Sequence, residues 1–478
     1  MQKNKLRIIL TLALLLSSCR LGPQYKQPDL IDNKVLAETL ELQTPAVPQL
    51  PFGPQDLKDE TLDYLIKQAL QNAPDIKTAR AHVEAARAIR LATISGLFPA
   101  LDGTANHTYE KFGKNMEPTM NSDFYRKGFN ISWEIDLFGR KQNEIVAASA
   151  QEQQMRFALE NISVLLISEV SLAYINLRTA QQLLEQTKAD LKIQQSLAKL
   201  THDKYHSGLS DAIDVNQADY QLSTTKAVIP KLETEIEQYQ NALAVLIGQP
   251  AGSLQKKLKS NTHNLITKKF TYPLKKLYTI PVEVLRLRPD VQGMEASLKA
   301  QNAEVGIAIA NLFPSVSLSA FFGLQANHLH NLFEKDSYTH SFQPTINSSL
   351  FHFGALWQQI KAEKATMEAM TAQYEKTLLK ATEEVRNLLI GLQKMEQRHK
   401  DLVSAWEKMD KAAGLARDKY KSGLIDYFQV LDSEERRISA QSAVTESSGQ
   451  LYQSIINFYK AIGGQFSFEK LSHSPANK

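Results

Sequence analysis

The stretch Lys419 to Asp432, KYKSGLIDYFQVLD, has an earlier counterpart at Lys204 to Gln217, KYHSGLSDAIDVNQ, and seven of the fourteen positions are identical. The offset of 215 residues recurs far from this motif: Pro74-Asp75 matches Pro289-Asp290, Leu97-Phe98-Pro99 matches Leu312-Phe313-Pro314, Phe138-Gly139 matches Phe353-Gly354, and Ile247-Gly248 matches Ile462-Gly463. A register kept without net insertion from 74 to 248 predicts two copies of one long structural unit rather than a solenoid of short repeats. The periodicities within each copy say what it builds.

In the first copy, Asp75 to Leu97 is Ala-rich and helical in pattern, closed by Gly96 and Pro99. The period then changes. Phe129, Ile131, Trp133, Ile135 and Leu137 alternate with Asn130, Ser132, Glu134 and Asp136. Such alternation suits a membrane barrel strand with one face on lipid and one on water, and it suits equally a soluble hairpin half-buried on a core. Leu101 to Glu110 alternates more weakly, with Asp102, Thr104, Asn106 and Thr108 on one face. The second copy repeats the pattern over Val316 to Gln325 and Phe342 to Leu350.

Each hairpin leads into a proline-free stretch, about Lys141 to Tyr205 and about Trp357 to Tyr420, in which glycine occurs only at Gly391 and Gly414. Sixty-odd residues of helix make a rod on the order of 95 Å, a length that signals coiled-coil packing. Gly208 and Gly423 supply the break, and Asp211 to Ile247 and Asp426 to Ile462 return, with a kink expected at Pro230. Ahead of the first copy, prolines 45, 48, 51 and 54 predict an extended strap, and Asp56 to Asn72 a short amphipathic helix. Between the copies, the lysines of Gly248 to Ile280 mark a surface connector.

The chain opens with Lys3, Lys5 and Arg7, the apolar run Ile8 to Leu16, and Ser17-Ser18-Cys19, the pattern of a secretory signal too short to span a bilayer. Leu16 to Cys19 looks like a bacterial lipobox, and Cys19 is the sole cysteine, so no intramolecular disulfide forms and lipid is its expected use. Arg20 rather than Asp follows it, which by resemblance to sorted lipoproteins implies delivery to the outer membrane. Removing the three signal cations from 55 basic against 51 acidic residues leaves 52 against 51, a nearly neutral chain. With no Lys/Arg block and no interleaved aromatics, nothing suggests a nucleic-acid partner. No run of about 18 apolar residues follows the signal, so no membrane-spanning helix is expected.

No catalytic constellation is present: there is no Gly-rich phosphate loop, nucleophile elbow or HExxH, and the expectation is a non-enzyme with no cofactor beyond lipid on Cys19. His328, His330 and His340 read as scattered loop histidines, since an HxH pair does not make a closed metal site. Four candidate strands cannot close a barrel, and an open edge in lipid leaves backbone groups unsatisfied. The strands would have to be shared: two chains give eight, three give twelve and a lumen. A conduit is the expected product.

The run Ile280 to Val291, IPVEVLRLRPDV, continuing through Glu295-Ala296 to Leu312-Phe313-Pro314-Ser315-Val316-Ser317-Leu318, closely resembles the outer membrane factor family, the TolC-like channels. The head from Cys19 to Pro28 is similar to its NodT-type efflux lipoproteins. The resemblance covers essentially the whole mature chain. It implies a mixed α/β membrane protein, internally duplicated, with long periplasmic coiled-coil helices and four strands per chain completing a trimeric twelve-stranded outer-membrane β-barrel. The expected divisions are a signal peptide at 1–18, an anchor and extended segment at 19–55, a first repeat at 56–250, an equatorial connector at 251–285, a second repeat at 286–465 and a tail at 466–478.

The resemblance further implies an exit duct for a tripartite exporter, with a periplasmic adaptor (membrane fusion protein) and an inner-membrane pump of the resistance-nodulation-division type. Adaptor contact falls on Lys204, Tyr205, Gly208, Lys419, Tyr420 and Gly423. By motif position the apolar gate residue is Phe428, the acidic one Asp432, and Asp214 a polar latch partner. This sequence departs from the pattern where Ile425 stands in place of a basic latch residue and Glu434-Glu435 replace a basic partner, leaving Arg436 or Arg437 as substitutes. The competing reading is a lipid-anchored coiled-coil adaptor or scaffold that forms no pore. The cargo is not encoded.

Overall fold

A computed structural model describes residues 20–28, 54–111, 122–259 and 282–464. The signal, Cys19, most of the proline-rich strap, most of the inter-copy connector and the tail lie outside the described residues.

The duplication is carried through to the residue. Helix α1 spans Glu60–Asn72, α2 Pro74–Ser95, α3 Arg140–His206, α4 Ala212–Leu246, α5 Pro289–Ala310, α6 Ala355–Lys421 and α7 Tyr427–Ala461; strands are β1 Ala100–Glu110, β2 Ser122–Ile135, β3 Ser315–Ala326 and β4 Tyr338–Asn347. Adding 215 to α2, α3 and α4 gives α5, α6 and α7, with lengths of 22, 67 and 35 residues in both copies. The hairpin registers coincide as well: Ala100 faces Ser132 and Ser315 faces Asn347. Compactness follows another division, however. One unit takes 81–157, 292–376 and the 20–28 strap; the other takes 54–80, 158–259, 282–291 and 377–464.

In the first unit the four strands form one antiparallel sheet in the order β1-β2-β3-β4. Ile131 faces Leu101 and Ala320, and Ala320 faces Phe342, so the apolar positions gather on one face; Ser132, Ser319 and Gln343 share the other. Leu101, Phe129, Phe342 and Ile346 are 65%, 57%, 68% and 71% exposed. The half-buried soluble hairpin, open from alternation alone, does not fit an apolar face left this bare.

Two strands differ from their expected limits. β2, expected from about 128 to 138, starts at Ser122 and ends at Ile135, because Asp136 leaves the ladder to accept the Gln142 N–H at 2.9 Å, capping the start of α3. β4, expected over about 342–351, runs Tyr338–Asn347, since β3 offers no partner beyond Ser315.

The strap is sewn onto the same unit. Leu21 N–H donates to Phe138 O (3.2 Å), Arg20 to Asn143 (2.6 Å), Asn143 to Leu21 O (2.9 Å) and Asn302 to Pro23 O (2.8 Å). Gly22 and Gly306 permit this approach, since a Cβ on Gly22 would come within 2.7 Å of Gly306 Cα.

The second unit has a continuous core of Leu62, Leu65 and Ile66 from α1, Val164 to Leu177 from α3, Leu243 and Ile247, Val385 to Leu392 from α6, and Leu451 to Ile462. By length and composition alone α3 contains a stretch that could cross a membrane, but half of it is buried in the protein. α1 starts at Glu60 rather than Asp56, because Asp59 caps it, accepting from Thr61 N and Leu62 N at 2.9 and 3.1 Å. Asp59 also accepts the Tyr174 hydroxyl proton at 2.7 Å. The RPDV motif is a staple: Arg288 donates to Ala461 O (2.5 Å), Glu384 (3.0 Å) and Asp290 (2.9 Å). α4 continues through Pro230, which leaves the Lys226 carbonyl without its helical donor.

Candidate functional site

The two repeated motifs are the turns of the α3–α4 and α6–α7 hairpins, and their shared residues fall where the backbone needs them. Gly208 and Gly423 sit at φ 72° and 74°, a conformation that penalises any Cβ. Leu209 N–H reaches Lys204 O at 2.8 Å and Leu424 N–H reaches Lys419 O at 2.9 Å, closing a Schellman cap in each copy. Asp211 then caps α4 through Ile213 N (2.8 Å) and Asp214 N (3.0 Å), and Asp426 caps α7 through Gln429 N (3.0 Å). The motif Ser-Gly-Leu-x-Asp is therefore one helix stop followed by one helix start.

Behind the turns, Leu197 and Ala198 of α3, Ala218 of α4, Tyr420 of α6 and Tyr427 and Val430 of α7 form a small core of their own. Tyr420 and Tyr427 meet edge to face with centroids 5.7 Å apart, and the Tyr420 hydroxyl lies 3.0 Å from Thr201 Oγ1. Lys204 donates to Tyr420 O at 2.5 Å and lies 3.7 Å over the Tyr420 ring. Desolvation holds the Lys204 ammonium below its ordinary pKa, opposed by Asp214. Burial raises the Tyr427 hydroxyl well above the usual phenol range.

The expected contact residues consequently divide. Tyr205, Gly208, Lys419 and Gly423 are exposed, whereas Tyr420 is 2% exposed and half-buried Lys204 spends its charge on the neighbouring hairpin. Phe428 is 64% exposed, as is Ile213 at the equivalent place in the first copy. Asp432 binds Arg436 one turn along α7 at 2.9 Å, and Asp214 accepts from Ser210 at 2.6 Å. Arg437, offered as a latch substitute, is buried instead: it donates to Asp190 of α3 at 2.6 Å, to Glu434 at 3.0 Å and to Gln441 at 2.8 Å, while Arg417 pairs with the other Glu434 oxygen. Burial raises the Asp190 carboxyl above the usual range, against the pull of Arg437. The sequence reading missed Asp190 and Arg417, which no local pattern marks. It also passed over Leu209 and Leu424, 76% and 72% exposed at the apex, although their repetition in both motifs was a visible signal.

His328 and His330 stack with centroids 5.6 Å apart, and no group of three or more His, Cys, Asp or Glu that could hold a metal occurs among the described residues.

A duplicated chain that carries two capped helical hairpins and a four-stranded, apolar-faced sheet defines a channel-forming class, and comparison with known proteins places it. The family model described as Outer membrane efflux protein matches residues 65–249 and 280–464, two blocks separated by the same 215 residues, and the chain belongs to that family. It is 29% identical to the "Toluene efflux pump outer membrane protein TtgC" of Pseudomonas putida over 97% of this chain and 96% of that one. It is 28% identical to the "Probable outer membrane lipoprotein SilC" of Salmonella typhimurium over 97% and 99%. Among solved structures, the outer-membrane channel OprN superposes with a TM-score of 0.84 at 30% identity, covering 93% of this chain and 99% of that one. The Campylobacter jejuni CmeC outer membrane channel shares the fold, with a TM-score of 0.79 at 23% identity over 94% and 95%.

Proposed function

We propose that this chain is the outer-membrane exit duct of a tripartite efflux system, lipid-anchored at Cys19 and assembled as a homotrimer whose twelve strands close one barrel. The observation that carries the closure is the repeat. β2 of the first copy pairs with β3 of the second, Ile135 facing Val316. Moving each residue to its repeat equivalent sets β4 against β1 of a neighbouring protomer, with Leu350 facing Leu101, Asn347 facing Thr104 and Pro344 facing His107. This accounts for the early end of β4, because residues 348–350 are equivalent to 133–135, which pair with β3 alone. The aromatic contacts follow the same logic: Phe138 stacks on Phe313 at 5.0 Å, while their equivalents Phe353 and Phe98 stand 91% and 67% exposed on one protomer. Three copies rather than two give a lumen instead of a core filled by side chains.

The duct is passive and takes no catalytic part. A periplasmic adaptor docks at the exposed apices around Leu209, Leu424, Lys419 and Gly423 and favours a splayed tip, so that opening is a population shift. A pump of the resistance-nodulation-division type loads the duct. Phe428 and Asp432 form the constriction, three carboxylates around an aperture favouring cations. The hydrogen bonds on Arg20, Leu21 and Pro23 support the anchor, since they hold the residues next to Cys19 against a single unit.

Cysteines introduced at Asn347 and Thr104 test the assembly: oxidation yields a covalent trimer on SDS gels, whereas Asn347 paired with Asn106, two residues out of register, links poorly. A product no larger than a dimer overturns the trimer. A protein that becomes water-soluble and non-conducting in planar bilayers once its lipid is removed favours the scaffold reading.

A further inference from the structure

The polar face of the sheet carries one basic residue among the described strand positions. Strand register places Asp102, Asn106, Glu110, Arg126 and Glu134 on that face, and Arg126 is the sole Lys or Arg there among the described strand positions. Its acids do not neutralise it. Glu134 is held by Arg140 at 2.5 and 2.6 Å. Asp102 and Glu110 stand four residues either side of Asn106, the cross-strand partner of Arg126, which is about 13 Å along the strand and beyond a Debye length of about 10 Å at 0.1 M salt. Among the described residues Arg126 makes no ion pair, and its Nε is buried without an acceptor.

The guanidinium instead lies 3.7 Å over the ring of Phe321, which is 2% exposed. Phe321 in turn covers Gly128 and Gly323, which face each other across β2 and β3. A Cβ on either glycine would come 2.8 or 2.6 Å from the Phe321 ring, and 2.4 or 2.3 Å from a carbonyl oxygen of the opposite strand. Two glycines make a floor, a phenyl ring fills it, and the ring seats an unpaired cation. β2 and β3 are the interior strands of the sheet, so edge pairing with other copies leaves this arrangement uncovered. Phe124, two residues along β2, adds aromatic surface to the same face.

We propose that Arg126, seated on Phe321, is an anion-binding station in the barrel wall, taking organic acids with a carboxylate or sulfonate group on an aromatic body. Its place inside the duct rests on the function proposed above; the binding does not. The guanidinium is already ordered by the ring, so little conformational entropy is lost when it donates to an oxyanion. Three stations in a trimer would make the outer part of the conduit attractive to anions, in contrast to the carboxylates at its tip.

The test uses the full-length lipidated protein in nanodiscs with 2-naphthalenesulfonate as probe, at about 0.1 M salt, where the Debye length of about 10 Å keeps Asp102 and Glu110 screened from Arg126. Fluorescence titration is expected to show binding that Arg126→Gln weakens about tenfold, as fits one charged hydrogen bond, and that Arg126→Lys partly retains. Equal affinity in wild type and Arg126→Gln overturns the proposal. In planar bilayers the probe is expected to reduce current when added on the barrel side, with Arg126→Gln relieving the block. Binding lost in Arg126→Gln by a protein that conducts nothing sustains the station and sinks the duct.

Discussion

The two hairpin tips share a backbone and differ in how they are held. Arg417 and Glu434 clasp α6 to α7, and 215 residues earlier His202 and Asp219 clasp α3 to α4 at the same two places. In the second copy Glu434 is 1% exposed and also binds Arg437, which reaches Asp190 on α3. In the first copy the pair lies 3.1 Å apart, with side chains 42% and 51% exposed and a partner that is charged only when protonated. One hairpin is closed by a largely buried four-charge network, the other by an exposed two-residue contact. Identical turns therefore do not imply equal strength: a buried pair broken on one side strands charge in a low-dielectric interior, while an exposed pair is replaced by water.

Removing one carboxylate from each copy is the severest way to break this contrast. Glu434→Gln leaves Arg417 and Arg437 short of a counter-charge and is expected to cost ~3–5 kcal/mol, read as loss of hydrogen-exchange protection near the α6–α7 turn. Asp219→Asn is expected to cost under about 1 kcal/mol. Equal losses would mean that burial does not separate the tips. A smaller effect concerns the aperture. Asp432→Asn should lower cation preference in planar bilayers without disturbing trimer formation, and Gln217→Asp at the equivalent first-copy position should leave selectivity as it was; the reverse pattern would give the aperture to the first copy. Smallest is the effect of removing the first-copy imidazole. His202→Gln loosens an exposed contact with Asp219 and is expected to cost under about 0.5 kcal/mol, seen as slightly faster exchange in the α3–α4 turn.

Much of the fold was legible because it is local. Proline-free runs set the long helices to within a residue or two, Gly208 and Gly423 set the turns, and alternation sorted the strand faces. The misses lie where a distant residue decides. Tyr420, read as a docking surface, is buried because Thr201, Lys204 and Tyr427 gather around it. Arg437, one of two substitutes for the missing basic latch partner, is instead buried against Asp190, 247 residues away in the chain. The early end of β4 is set by β3, which offers no partner beyond Ser315.

The sequence by itself determined the duplication, the turn chemistry and the two-faced strands, because a 215-residue identity, a glycine at positive φ and a period of two are all properties of the chain alone. Only the tertiary structure decided which equivalent residues became unequal. His202 and Arg417, and Phe98 and Phe313, occupy matching backbone, and their environments differ because the network around Arg417 reaches Asp190, and Phe313 stacks on Phe138, in the other copy. The seating of Arg126 on Phe321 is of the same kind, since it exists only once β2 of one copy pairs with β3 of the other.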